Sequence, residues 1–235
     1  MKRLLLAAAF MMTAMTASAQ SIVTSDESIA KNMTSWRFSV QSGYGYRVGR
    51  VDRSQDQVLV DHAKKLKHGF IFGADATCYF MGTLGVGLKY SALSSSANES
   101  VTVTFEDGNV ESGQMKDNIR ISFIGPMASY RMMCRDGRDT FLMNLGLGYL
   151  GYRNDAVLID PYVIKGGSLG YLYELGYDLG ITDKVSIGAT FGYISGSLFS
   201  YEAYSEGAWR TVSLDSDSYE SLTHLQLSIG VRINL

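Results

Sequence analysis

The feature that most constrains this chain is an alternation of apolar and polar residues, period two, that recurs in eight separate segments. Such alternation is the pattern of a β-strand with one apolar face. The clearest segment sets Trp36, Phe38, Val40, Tyr44, Tyr46 and Val48 against Arg37, Ser39, Gln41, Gly43, Gly45 and Arg47. Comparable runs cover 69–80, 84–91, 119–132, 141–149, 169–179, 185–193 and 224–235. Only the fourth changes phase: Ile119, Ile121 and Phe123 give way at Gly125-Pro126 to Ala128, Tyr130 and Met132, so a bulge is expected there. Short connections (81–83, 134–138, 180–184) alternate with long polar ones (51–67, 94–116, 154–167, 197–221). The expected fold is therefore all-β: an eight-stranded antiparallel up-and-down barrel with short turns at one end and long loops at the other.

The N-terminal residues bear on the compartment. Lys2 and Arg3 precede an apolar run from Leu4 to Met12, and Thr16-Ala17-Ser18-Ala19 offers small residues for cleavage. This reads as an export signal over residues 1–19, followed by a short periplasmic segment at 20–33 and the barrel at 34–235. The run is shorter than the ~20 residues a spanning helix needs. No later segment is long and apolar enough either, so any membrane crossing is made by strands. Losing Lys2 and Arg3 takes the formal net charge from −2 to −4, and there is no basic stripe of the kind that binds nucleic acid. Export exposes Cys78 and Cys134 to oxidising conditions. They fall on elements separated by a whole strand, whereas a disulfide needs Cα atoms within about 7 Å. Free thiols are expected.

Alternation alone does not separate a membrane barrel from a soluble one. Two features do. The polar phase is poor in charge and rich in glycine (Gly43, Gly45, Gly73, Gly85, Gly87, Gly146, Gly148, Gly170, Gly176, Gly188, Gly192, Gly230). That suits a narrow interior better than a water-facing surface. The apolar phase is graded, with aromatics toward the strand ends and aliphatics such as Val40, Val86, Met143 and Leu145 between them. Tyr and Trp favour the lipid–water interface. The girdle candidates are Trp36, Phe38, Tyr44, Tyr46, Phe72, Tyr149, Tyr171, Tyr173, Phe191 and Tyr193. The alternative is a soluble periplasmic barrel.

With these features the mature sequence resembles the eight-stranded Gram-negative outer-membrane barrels of the OmpA/OmpX type, over nearly its whole length. The likeness is architectural except at the end, Ser228-Ile229-Gly230-Val231-Arg232-Ile233-Asn234-Leu235. Ser228, Gly230, Ile233 and Leu235 look like the C-terminal signal read by the barrel-assembly machinery, although the family usually ends on an aromatic. The resemblance implies residence in the outer membrane, with its lipid and lipopolysaccharide as partners.

The catalytic inventory is thin. His62, His68 and His224 show no metal-ligand spacing, and no cofactor is expected. Of possible Ser–His–acid sets only His224 with Ser218, Ser221 and Glu220 is available, and a strand rim supplies such residues by chance. His62 and His68 flank Lys64-Lys65-Leu66-Lys67, a solvated face or a contact for anionic lipopolysaccharide. Strand parity places Arg37, Asp75, Lys89, Arg120, Glu174, Asp178 and Arg232 inside. Both signs of charge suggest pairs that fill the lumen, since unpaired each would carry a heavy desolvation cost. Outer loops carry specific function, and Phe199, Tyr201, Tyr204 and Trp209 are binding candidates there. The expected role is structural or surface-interactive, without catalysis. A small porin-like channel is the alternative, and a lipid-modifying enzyme comes after it.

Overall fold

The computed structural model describes residues 36–49, 57–80, 82–104, 110–134, 138–158, 160–205, 207–214 and 219–235. The export signal, its cleavage site and the 20–33 segment lie outside these residues. In chain order the described elements are β1 (Trp36–Arg47), α1 (Gln57–Lys65), β2 (His68–Tyr79), β3 (Leu84–Thr104), β4 (Val110–Cys134), β5 (Asp139–Leu158) and β6 (Asp160–Gly180). After these come β7 (Val185–Ser195), β8 (Ser197–Leu198), β9 (Ser200–Ser205), β10 (Ala208–Ser213), β11 (Glu220–Ser221) and β12 (His224–Asn234).

Strands β1 to β7 and β12 close an antiparallel ring of eight, each bonded to the next, with β12 returning to β1. Following paired residues around the ring leads from Arg37 to Thr77, Gly87, Met127, Gly146, Leu172, Ile194 and His224. The circuit returns to β1 at Arg47, ten residues beyond its start. With about 3.3 Å per residue and 4.8 Å between strands, that stagger tilts the strands roughly 40° from the axis. Each step from β1 toward β12 along a ladder row therefore climbs about 3 Å. The curvature is accommodated by glycine on the inner face. A Cβ on Gly43 would stand 2.0 Å from the Leu227 carbonyl oxygen, and one on Gly230 would stand 2.2 Å from that of Val40.

The short connections fall where the sequence places them, between Tyr79 and Leu84, Cys134 and Asp139, and Gly180 and Val185. By the rule for bacterial barrels this is the periplasmic end. The long segments are more regular than polar loops, and of them only Val101 to Phe105 with Glu106-Asp107-Gly108-Asn109 reads in the sequence as a hairpin projecting above the membrane. β3 with β4, and β5 with β6, continue as paired strands well beyond the apolar band, to Thr104↔Val110 and Leu158↔Asp160. Above the membrane neither face meets lipid, so the alternation that marks a strand fades although the ladder goes on. The 51–67 segment contains α1, whose inner side buries Val60 and His62.

The expected bulge at Gly125-Pro126 is absent. The β3–β4 register runs unbroken through Leu88↔Pro126, and β4–β5 keeps one register on both sides, at Ile124↔Tyr149 and Met127↔Gly146. The phase change has another cause: Ile119, Ile121 and Phe123 point into the barrel, while Ala128, Tyr130 and Met132 point outward on the same unbroken strand. Cys78 and Cys134 are free thiols.

Most outward residues of the ring are apolar and exposed, Leu145 among them at 48%. Leu145→Arg is expected to lower stability by about 2–4 kcal/mol, while Leu145→Phe is expected to be tolerated. Urea unfolding of the protein in lipid vesicles measures both.

Candidate functional site

The interior is layered by height. Its periplasmic layer is ionic and collected from five strands. Arg37 Nη1 donates to Asp75 Oδ1 at 3.0 Å, and its Nη2 donates to Asp178 Oδ2 at 2.8 Å. Lys89 Nζ donates to Glu174 Oε2 at 2.8 Å and to Asp75 Oδ2 at 3.3 Å. Arg232 Nε stands 3.1 Å from Asp178 Oδ1 without hydrogen-bond alignment, and its Nη1 donates to the Gly188 carbonyl at 2.8 Å. Asn144 Nδ2 adds a bond to Glu174 Oε1 at 2.8 Å. Three cations and three carboxylates thus interlock, all buried. Arg131, which sequence reasoning passed over, is also buried here, with its guanidinium 3.9 Å from the Tyr79 ring centre and Nε donating to Gly82 O at 2.6 Å. Its inward parity was available from the outward Tyr130 and Met132.

Arg120 is the exception among the seven charges read as lumenal. It is exposed on the outer surface, because the unbroken β4 register turns Ile119 and Ile121 inward in its place.

Level with the upper ions and just above them lies a set of polar side chains in which Ser91 donates to Gln226, and Thr190 hydrogen-bonds both Gln41 and Ser228. Higher still, Ile71, Leu93, Ile121, Phe123, Leu150, Leu172 and Ile194 meet in a buried apolar layer, extended by Leu198 and Leu222. The sequence signal for it is a set of apolar residues in the otherwise polar phase near each strand's outer end. At the mouth, α1 brings His62 Nε2 to 2.7 Å from Asp117 Oδ2, and Arg47 Nη2 donates to Glu220 Oε1 at 2.7 Å. His62 is therefore buried, whereas Lys64 and Lys65 beside it are exposed.

Among the described residues His224 makes no contact with Ser221 or Glu220 that would form a catalytic set. Its ring is buried, Nδ1 bonds the Leu222 carbonyl at 2.9 Å, and Glu220 is engaged by Arg47. Ser218 lies outside the described residues.

On the outer face all ten girdle candidates point outward, Tyr46 half-buried against His68 and the others exposed. The strand tilt brings Tyr44, Tyr149, Tyr171 and Tyr193, from four different ladder rows, to nearly one height, with Trp36 and Phe38 near the opposite rim. Of the C-terminal residues, Ser228 and Gly230 face inward, and Ile233 and Leu235 are exposed on the lipid side.

Beyond the rim, β9 pairs with the extension of β6 through Val163↔Tyr204 to Lys165↔Glu202, and β10 pairs with β9. This hairpin packs Tyr204 against Trp209 with ring centres 5.1 Å apart, with Lys165 Nζ 4.8 Å above the indole ring centre. Phe199 packs on Tyr219 at 6.1 Å. Tyr201 instead packs against the interior apolar layer.

No protein-family model matches the chain, and no curated protein matches it. Solved structures do. A major outer membrane protein from Thermus thermophilus superposes with a TM-score of 0.53 at 12% identity, covering 85% of this chain and 99% of that one. This chain has the fold of a small outer-membrane β-barrel. Neisserial surface protein A gives a TM-score of 0.49 at 13% identity, over 85% of this chain and 97% of that one. OprG from Pseudomonas aeruginosa gives 0.47 at 13% identity, over 86% and 98%. At these identities the likeness concerns the fold.

In an outer-membrane barrel the ionic layer lies at bilayer depth, where a stranded charge finds little water. Glu174→Gln removes the carboxylate shared by Lys89, Asn144 and Gln41. It should cost about 3–5 kcal/mol, the range for breaking one side of a buried pair. Lys64→Gln, at an exposed pair on α1, should change stability far less. Equal, small effects in urea unfolding would mean a hydrated lumen.

Proposed function

We propose that this barrel is a surface-interaction protein whose function resides in its outer hairpin, with neither a conducting lumen nor a catalytic centre. The observation that carries this reading is the sheet of β6, β9 and β10, which stands beyond the rim and exposes Trp209 at 49% and Tyr204 at 38%. Aromatics flanked by Lys165, Glu202 and Arg210 combine a large contact area with polar neighbours, the composition of a binding surface. The filled interior supports the non-conducting part. An ion would have to pass both the interlocked charges and the dry layer around Phe123 and Leu150.

Export by a cleaved signal over residues 1–19 and recognition by the assembly machinery through 228–235 belong to the same proposal.

Two measurements test it. In planar bilayers the purified barrel should give no unitary conductance, and discrete steps would favour the porin-like alternative. Barrel embedded in nanodiscs should bind to intact cell surfaces through the hairpin. Trp209→Ala with Tyr204→Ala should then weaken binding by about 2 kcal/mol or more, roughly thirtyfold, with unfolding stability unchanged. Binding that is indifferent to both substitutions would reject the hairpin as the interaction surface.

A further inference from the structure

On the outer hairpin the exposed rings share a face with polar side chains. Cross-strand partners point to one side of a sheet, so this face of β9 and β10 carries three rows: Tyr204 with Trp209, Glu202 with Thr211, and Ser200 with Ser213. Lys165, the β6 partner of Glu202, extends the middle row. The rings stand at 45° to one another and Lys165 Nζ lies over the indole, yet Trp209 and Tyr204 both remain exposed. Beside the polar rows opens a groove of about 600 Å³ whose lining includes Ser200, Glu202, Thr211 and Lys165. An aromatic platform, hydroxyls, one carboxylate and one ammonium therefore converge on a single side of the hairpin.

Height and size narrow the occupant. With the strand tilt, the rings stand roughly 20–25 Å beyond the outer tyrosine girdle. That is clear of the headgroup zone, which adds only about 5–8 Å to each side of the hydrocarbon. The occupant therefore comes from outside the cell and not from the bilayer. Two strands of six residues make a face about 20 Å long and 10 Å wide, against the roughly 800 Å² that a stable protein partner covers. On this face β9 and β10 hold no Leu, Ile, Val or Met, whereas a protein interface centres on an apolar core. Charge gives no preference for an anion: Lys165 and Glu202 offset each other, and Asp155 takes up Arg153 at 2.8 Å. These features suit a small, uncharged molecule with one apolar side and many hydroxyls.

We propose that this face binds a neutral glycan displayed on a facing cell. One sugar ring lays its C–H side on Trp209 and Tyr204, as apolar surface packs on an aromatic ring, and turns its hydroxyls to the row beneath. Glu202 accepts from two neighbouring hydroxyls, Thr211 donates or accepts, and Lys165 donates to a sugar oxygen. This rests on the reading of the hairpin as the interaction surface and supplies the chemistry of its partner.

The test presents the full barrel in nanodiscs to immobilised oligosaccharides: neutral glucose-, galactose- and N-acetylglucosamine-terminated chains, and sulfated and sialylated versions of the same chains. Wild type should hold a subset of the neutral chains and gain nothing from sulfate or sialic acid. E202Q, which leaves the rings in place, should lose about tenfold in affinity, because hydrogen bonds to a charged group are the stronger kind. W209A should lose about tenfold or more, while W209F, which keeps a ring, should retain most of the binding and guards against a folding defect. In parallel the barrel is bound to intact cells before and after periodate, which cleaves the vicinal diols of sugars and spares the protein backbone. Periodate should abolish that binding. If no neutral chain is held, and cell binding resists periodate but is still weakened by W209A/Y204A, the glycan is overturned and the hairpin reading stands. Cell binding indifferent to W209A/Y204A removes the hairpin reading itself. Preference for the sulfated or sialylated chains, or an E202Q variant that binds as wild type does, would also overturn the proposal.

Discussion

Within a bilayer no water is available to an unpaired backbone N–H or C=O, so a chain that crosses as strands must close its ladder on itself. The rest of this structure depends on that closure. Eight strands with a ten-residue stagger leave an interior only wide enough for side chains. The inner face must then be small where backbones approach, as at Gly43 and Gly230. The same narrowness rules out isolated charges. Arg37, Lys89 and Arg232 persist inside because Asp75, Glu174 and Asp178 reach them from neighbouring and opposite walls.

The vertical order of the interior follows from what each height must do. Ion pairs and amides cross-link opposite walls of the periplasmic half, where Arg37 on β1 reaches Asp178 on β6. The apolar layer above them is packed without exposure at Ile71, Leu93, Ile121, Leu150 and Ile194. It is continuous with Leu198, Leu222, Tyr201 and Leu66 from the outer segments. Those segments are thereby anchored to the barrel by burial as well as by ladder bonds. The outer hairpin is anchored at its base, because Tyr201 is held inside while Tyr204 and Trp209, on the same hairpin, remain exposed.

Much of the fold was legible because lipid enforces alternation. All eight ring strands, the three short turns and the outward aromatic residues follow from period two read one strand at a time. The misplaced bulge and the misplaced Arg120 share one cause: alternation reports which residues are apolar, not which side they face. At 119–123 the interior itself is apolar, so Ile119, Ile121 and Phe123 carried the signature of a lipid face while pointing inward. A bulge was then needed to reconcile them with Tyr130 and Met132, and Arg120 was assigned to the wrong side. Beyond the rim the signal vanishes for a different reason, since water wets both faces of the extended strands. α1 escaped notice because one short helix of mixed polarity, within a segment otherwise polar, has too few residues to establish a period. The charge partners in the lumen could be proposed as a set but not as pairs, because nothing along one strand reports the stagger.

That stagger determines which residues meet. Asp75 and Lys89 are ladder partners, so their approach is local to one hairpin, whereas Arg37 and Asp178 lie 141 residues apart and meet only because the ring closes. The same geometry governs the outer surface. Arg120 and Arg153 are separated along the chain by a long strand-and-turn stretch, Arg153 and Lys165 face each other across one hairpin, and the β4–β5 and β5–β6 registers align all three. A slip of one residue in either register would send a strand's cation into the lumen and an interior leucine to the lipid. The interior apolar layer and the outer cationic row are therefore fixed by one set of ladder bonds. The packing of Phe123, Leu150 and Leu172 inside also holds the cations in line outside.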